Sequence, residues 1–156
     1  MSKAFTREDD RPEDEPPKRL AFLLPPGAAN YLTPDGAERF QAQLDGLLSE
    51  RPRRAAADEK IKELRRILDS AVVLGPPTED LDIVRFGATV SVKSLSDGRT
   101  AHYRIVGIDE TDVARGWISW VSPIAKALLS AAVGDQVKAA LPAGEKELEI
   151  LDVNYQ

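Results

Sequence analysis

Two hydrophobic periods divide this chain, with Gly75-Pro76-Pro77 between them. Before that break, apolar residues recur every three or four positions, the spacing of one helix face. After it they alternate with polar residues, the spacing of half-buried strands. The order reads as α+β: a short N-terminal antiparallel helical hairpin, then a small β-sheet domain with one short helix.

The helical half is expected over residues 30–75. Thr33 suits an N-cap and Pro34 the first helical position. Ala37, Phe40, Leu44 and Leu47 follow at spacings of three, four and three, and Pro52 interrupts the pattern. Ile61, Leu64, Leu68 and Ala71 repeat the spacing in a second helix over about Ala55–Ala71. Each arm has about 17 residues and spans roughly 25 Å at 1.5 Å per residue. Neither helix is expected to be stable alone.

The sheet half is expected over residues 80–156. Val90 and Val92 alternate with Ser91 and Lys93. Ala101, Tyr103 and Ile105 alternate with His102 and Arg104. Ile118 and Trp120 flank Ser119. Ser122-Pro123 opens a short helix, Val133-Gly134-Asp135 breaks it, and Val137 with Ala139 marks another strand. Pro142-Ala143-Gly144 is a turn, and a last strand runs over about Lys146–Tyr155. Residues 1–29 read as a disordered tail. Lys3 to Lys18 mixes six acids with four bases and three prolines, and has no apolar period. A short apolar patch, Leu20 to Leu24, reads as a segment that docks loosely on the domain behind it.

Composition narrows the function. The net charge of −5 argues against free duplex DNA as the main ligand. With no cysteine there is no disulfide and no thiolate metal site. No apolar run approaches the roughly 20 residues of a membrane span, and no signal-peptide core opens the chain. A cytoplasmic protein is expected, without membrane association, metal or cofactor. His102 is the sole histidine and reads as a packing or surface residue. Asp58 and Glu59 suit favourable charge near a helix N-terminus. Asp109, Glu110 and Asp112 read as a solvated loop, and Glu147 with Glu149 as an exposed strand face. Arg51, Arg53, Arg54, Lys60, Lys62, Arg65 and Arg66 give seven positives within 16 residues, against three negatives. That density reads either as a solvated face with helix ion pairs or as a contact for a polyanion such as RNA.

The second half resembles a known family. It carries Phe86-Gly87-Ala88-Thr89-Val90, Tyr103-Arg104-Ile105-Val106-Gly107 and Asp109-Glu110. It continues with Ile118-Ser119, Ser122-Pro123-Ile124-Ala125-Lys126-Ala127-Leu128-Leu129 and Val133-Gly134-Asp135. It closes with Pro142-Ala143-Gly144-Glu145 and Val153-Asn154-Tyr155. In order and spacing these resemble the GreA/GreB transcript elongation factors. The opening Met1-Ser2-Lys3-Ala4-Phe5-Thr6-Arg7-Glu8, Asn30-Tyr31-Leu32-Thr33-Pro34 and Glu50-Arg51-Pro52 look GreB-like.

The resemblance implies a coiled coil followed by an FKBP-like domain. The globular part would dock at the rim of the RNA polymerase secondary channel through Ser122, Pro123, Ile124 and Ala125. In the family the coiled coil enters that channel, and acids at its tip help hold a catalytic magnesium ion, promoting cleavage of backtracked RNA. The active site is the polymerase's, so the chain itself is expected to be no enzyme. The implied class is a DNA-binding, monomeric transcription elongation regulator, with indirect contact to nascent RNA.

Two departures stand out. The family's Gly-Asp-x-x-Glu-Asn tip run is missing: Glu50-Arg51-Pro52 leads directly to Arg53-Arg54-Ala55. If about 30 residues are absent, each arm is shorter by roughly 22 Å. Val121 also stands where GreB-type proteins tend to carry an acid. The expectation is a polymerase-binding regulator that does not stimulate cleavage, with Arg51, Arg53 and Arg54 as basic tip contacts. The alternatives are an active cleavage factor using Asp58 and Glu59, or an adaptor resembling regulators of nucleoside diphosphate kinase.

Overall fold

Thr33 begins the helical half as its residue type requires. In the computed structural model, which describes residues 27–50 and 54–155, its hydroxyl oxygen accepts from the Gly36 N–H at 3.1 Å. That caps helix α1 (Pro34–Ser49). Helix α2 (Ala55–Ser70) follows, with Arg54 at its N-cap position and no side-chain capping hydrogen bond there. The two helices meet along Leu44, Ile61 and Leu64, with Phe40, Leu47, Leu48 and Leu68 half-buried around them. In sequence, only residues 50–54 separate the two helices. Each such aliphatic side chain contributes about 1.5–3 kcal/mol on burial. Ordering backbone costs about 1–2 kcal/mol per residue. The hairpin's own apolar cluster is therefore small for its length, and the hairpin depends on its base.

Two short strands build that base. Strand β1 (Asn30–Leu32) precedes α1 and strand β2 (Ala71–Val73) follows α2. They pair in parallel, Asn30 with Ala71 and Leu32 with Val73, so the hairpin's two ends are tied together. Ala71, expected as the last helical residue, instead caps α2 and opens β2.

The second half forms a five-stranded sheet. Strands β3 (Thr89–Ser94), β4 (Thr100–Val106), β5 (Trp117–Ser119), β6 (Gln136–Leu141) and β7 (Gly144–Asn154) lie in the order β5-β4-β3-β7-β6. Neighbours are antiparallel except β4 and β5. The β3–β4 turn is set by Asp97, whose Oδ1 accepts from the Arg99 N–H at 2.9 Å, and by Gly98 at φ +72°. Helix α3 (Pro123–Leu128) is the one short helix of this half. Its Ala125 and Leu128 join Val84, Val90, Val92, Ile105, Leu148 and Ile150 in the core. The Tyr155 hydroxyl pins the entry to the sheet, accepting from the Arg85 N–H at 2.9 Å and donating to the Ile83 carbonyl. Between β4 and β5 the chain makes two 3-10 turns, Ile108–Glu110 and Val113–Arg115. The first of these meets the hairpin base. The α+β class read from the periods is the class observed. The Leu20 to Leu24 patch and the expected tail up to residue 26 lie outside the described residues.

Candidate functional site

The expected docking segment divides by burial. Ser122 caps α3, its Oγ accepting from the Ala125 N–H at 3.3 Å, and both residues are buried. Pro123 is exposed and Ile124 half-buried. A partner can therefore touch Pro123 and Ile124, while Ser122 and Ala125 fix the turn that presents them. Lys126, Ala127, Lys138 and Ala140 continue this surface as an open hollow beside Pro123.

Of the tip candidates, Arg54, Asp58 and Glu59 are described, at the start of α2. Arg54 is exposed just before α2, while Arg51 and Arg53 lie outside the described residues. Asp58 and Glu59 are exposed at the start of α2. Glu59 pairs with Lys62 at 3.4 Å and Glu63 with Lys60 at 3.2 Å, so part of the basic run is spent on helix ion pairs. His102 faces Ser91 across β3 and β4, its Nδ1 at 2.8 Å from the serine Oγ.

A third constellation was not legible as a site. Glu110, expected in a solvated loop, has a fully buried side chain. Its Oε2 accepts from the backbone N–H groups of Thr33 at 3.0 Å and Gly107 at 2.9 Å. Its Oε1 accepts from the Thr33 hydroxyl and lies 3.6 Å from the Arg39 guanidinium. One carboxylate of the sheet half thus takes up orphan donors at the start of α1. Two glycines make room for it. A β-carbon at Gly36 would overlap the Glu110 carboxylate, and one at Gly107 would overlap the Tyr31 carbonyl. A glycine inside the first turn of a helix costs about 1 kcal/mol against alanine. Gly36 was therefore the available signal of a close approach.

Polar and aromatic contacts surround this carboxylate. Arg104 donates to both carboxylate oxygens of Asp35, at 2.7 and 3.0 Å. Those bonds are the main cause of an Asp35 pKa held down at about 2, against the opposing effect of burial. The guanidinium groups of Arg39, Arg104 and Arg115 lie 4.8, 5.0 and 5.1 Å from the Trp117 ring centre. Tyr31 packs on Trp120 and Phe86, with ring centres 5.2 and 5.7 Å apart. Asn30 donates to Asp109 at 3.3 Å and to Ser70 at 3.1 Å.

Comparison with known proteins gives this geometry a family. The family description "Transcription elongation factor, GreA/GreB, C-term" matches residues 78–155. The chain is 37% identical over 154 residues to transcription elongation factor GreB of Neisseria meningitidis serogroup B, covering 81% of this chain and 94% of that protein. It is 35% identical over 151 residues to GreB of Xanthomonas axonopodis pv. citri, covering 80% of this chain and 90% of that one. Among solved structures, a GreA/GreB factor of Nitrosomonas europaea aligns at TM-score 0.45 and 23% identity, over 82% of this chain and 99% of that one. The chain belongs to the GreA/GreB family of transcription elongation factors.

These matches correct one expectation. The chain was expected to be no enzyme. Its relatives carry the names of Gre transcription elongation factors, the family that the resemblance ties to cleavage of backtracked RNA, so that exclusion is withdrawn.

Proposed function

We propose that this chain is a Gre-type regulator that binds RNA polymerase at the rim of its secondary channel and leaves transcript cleavage unstimulated. The observation that carries the reading is the length of the hairpin. Helices α1 and α2 have 16 residues each, about 24 Å at 1.5 Å per residue. Only residues 50–54 join them, and those residues include no Gly-Asp-x-x-Glu-Asn run. The alignment to the Neisseria GreB supports the same view. It spans 154 positions but uses 81% of this 156-residue chain, or about 126 residues, so about 28 positions of the relative face a gap. A hairpin of this reach carries no acid to a metal deep in a channel.

Docking is assigned to Pro123 and Ile124 on an FKBP-like domain, with Ser122 and Ala125 shaping the turn. The factor acts as a monomer in the cytoplasm. Exposed Arg54, with Arg51 and Arg53, faces polymerase or the RNA it holds. Pull-down with core polymerase at low salt tests the reading: retention supports it, and no binding overturns it. A second reading draws on the exposure of Asp58 and Glu59 at the distal end of α2. It makes the chain an active cleavage factor, and shortening of backtracked RNA that disappears on Asp58→Ala with Glu59→Ala would establish it.

A further inference from the structure

We infer that Glu110 is the positioning residue that aims the hairpin, and that through this aim the factor acts on its partner; the second clause rests on the polymerase-binding reading above. The hairpin meets the sheet half at its base, through Asn30, Tyr31, Thr33, Asp35 and Arg39. A lever of about 24 Å turns a 10° change at the base into about 4 Å at the tip. Misplacement by about 1 Å is enough to cost a functional contact heavily.

The socket selects a carboxylate. Glu110 accepts two backbone N–H groups on one oxygen, and the Thr33 hydroxyl on the other. A glutamine could keep the first oxygen. Its second atom would become a donor facing the Arg39 guanidinium and a Thr33 oxygen that already accepts from Gly36. From the other side, the three nearest atoms to a β-carbon at Gly36 all belong to Glu110. The Asp35–Arg104 pair then braces the same turn of α1 from the next residue but one.

The chain has no cysteine, so a label pair at the exposed positions Ala42→Cys and Ala143→Cys is unique. Spin-label distance measurement on the full chain should give one narrow distribution. Glu110→Gln and Gly36→Ala should each broaden or shift it, and half-exposed Asp35→Asn should do so more mildly without endangering the fold. In a Glu110→Ala background, Gly36→Ala should have little further effect, a non-additivity that general loss of stability does not produce. Affinity for core polymerase should stay within about threefold, while the change in elongation rate at saturating factor falls about tenfold. An unchanged distribution in all three variants, additive Gly36 and Glu110 effects, or equal losses of affinity and elongation effect would overturn the inference. If the native chain does not bind polymerase, the functional reading fails, and the distance and additivity results still decide the role of Glu110.

Discussion

Asp35 links the hairpin base to pH at the acid end of the range. Its carboxyl is held at about 2, below the ordinary 3.8, chiefly by hydrogen bonds from Arg104. A depressed acid stabilises the fold fully above its unfolded value, and that contribution is lost as pH falls through the folded one. The loss should run from about pH 4 to about pH 2. With the Asp35 side chain 48% exposed, it should amount to about 1 kcal/mol at most. Denaturation of native chain and Asp35→Asn across that window checks it, and the two curves should converge at the acid end. Gly107→Ala tests the socket: the new β-carbon meets backbone, which cannot swing aside, so a loss of about 1–3 kcal/mol is expected in urea denaturation. Thr33 as a cap and Ser122 as a cap were legible, because capping is written within three residues. Glu110 was not, because its partner Thr33 is 77 positions away. Nothing local separates a buried carboxylate from an acidic loop.

At the scale of elements, the hairpin is held by few apolar residues of its own. Leu64→Ala should cost about 2–5 kcal/mol and should strip hydrogen-exchange protection from α1 and α2 while β3, β4 and β7 keep theirs. Uniform loss of protection across both halves would show that hairpin and sheet unfold as one unit. The helical seam could be read because Leu44, Leu47, Ile61, Leu64 and Leu68 repeat at helical spacing over several turns. Strands β3, β4 and β7 could be read because six or more residues give alternation room to show. Strands β1 and β2 are three residues each, too short for a period, and their pairing is parallel and spans the whole hairpin. The same shortness hid how the hairpin is clamped at its base.

For the whole molecule, what matters is what the sheet half presents and how far the hairpin reaches. Pro123→Ala with Ile124→Ala should weaken retention by core polymerase about tenfold, the effect of losing roughly 1.4 kcal/mol of contact, with an unchanged circular dichroism spectrum. Ser122→Ala should instead cost about 1 kcal/mol of stability through its lost cap. As proposed, the hairpin is too short to bring acids to the polymerase active site. The direct measurement is the rate of RNA shortening in backtracked elongation complexes at saturating factor. A hairpin that stops short leaves that rate at its factor-free value, with the factor demonstrably bound. A rapid increase in that rate, abolished by Asp58→Ala with Glu59→Ala, would contradict it.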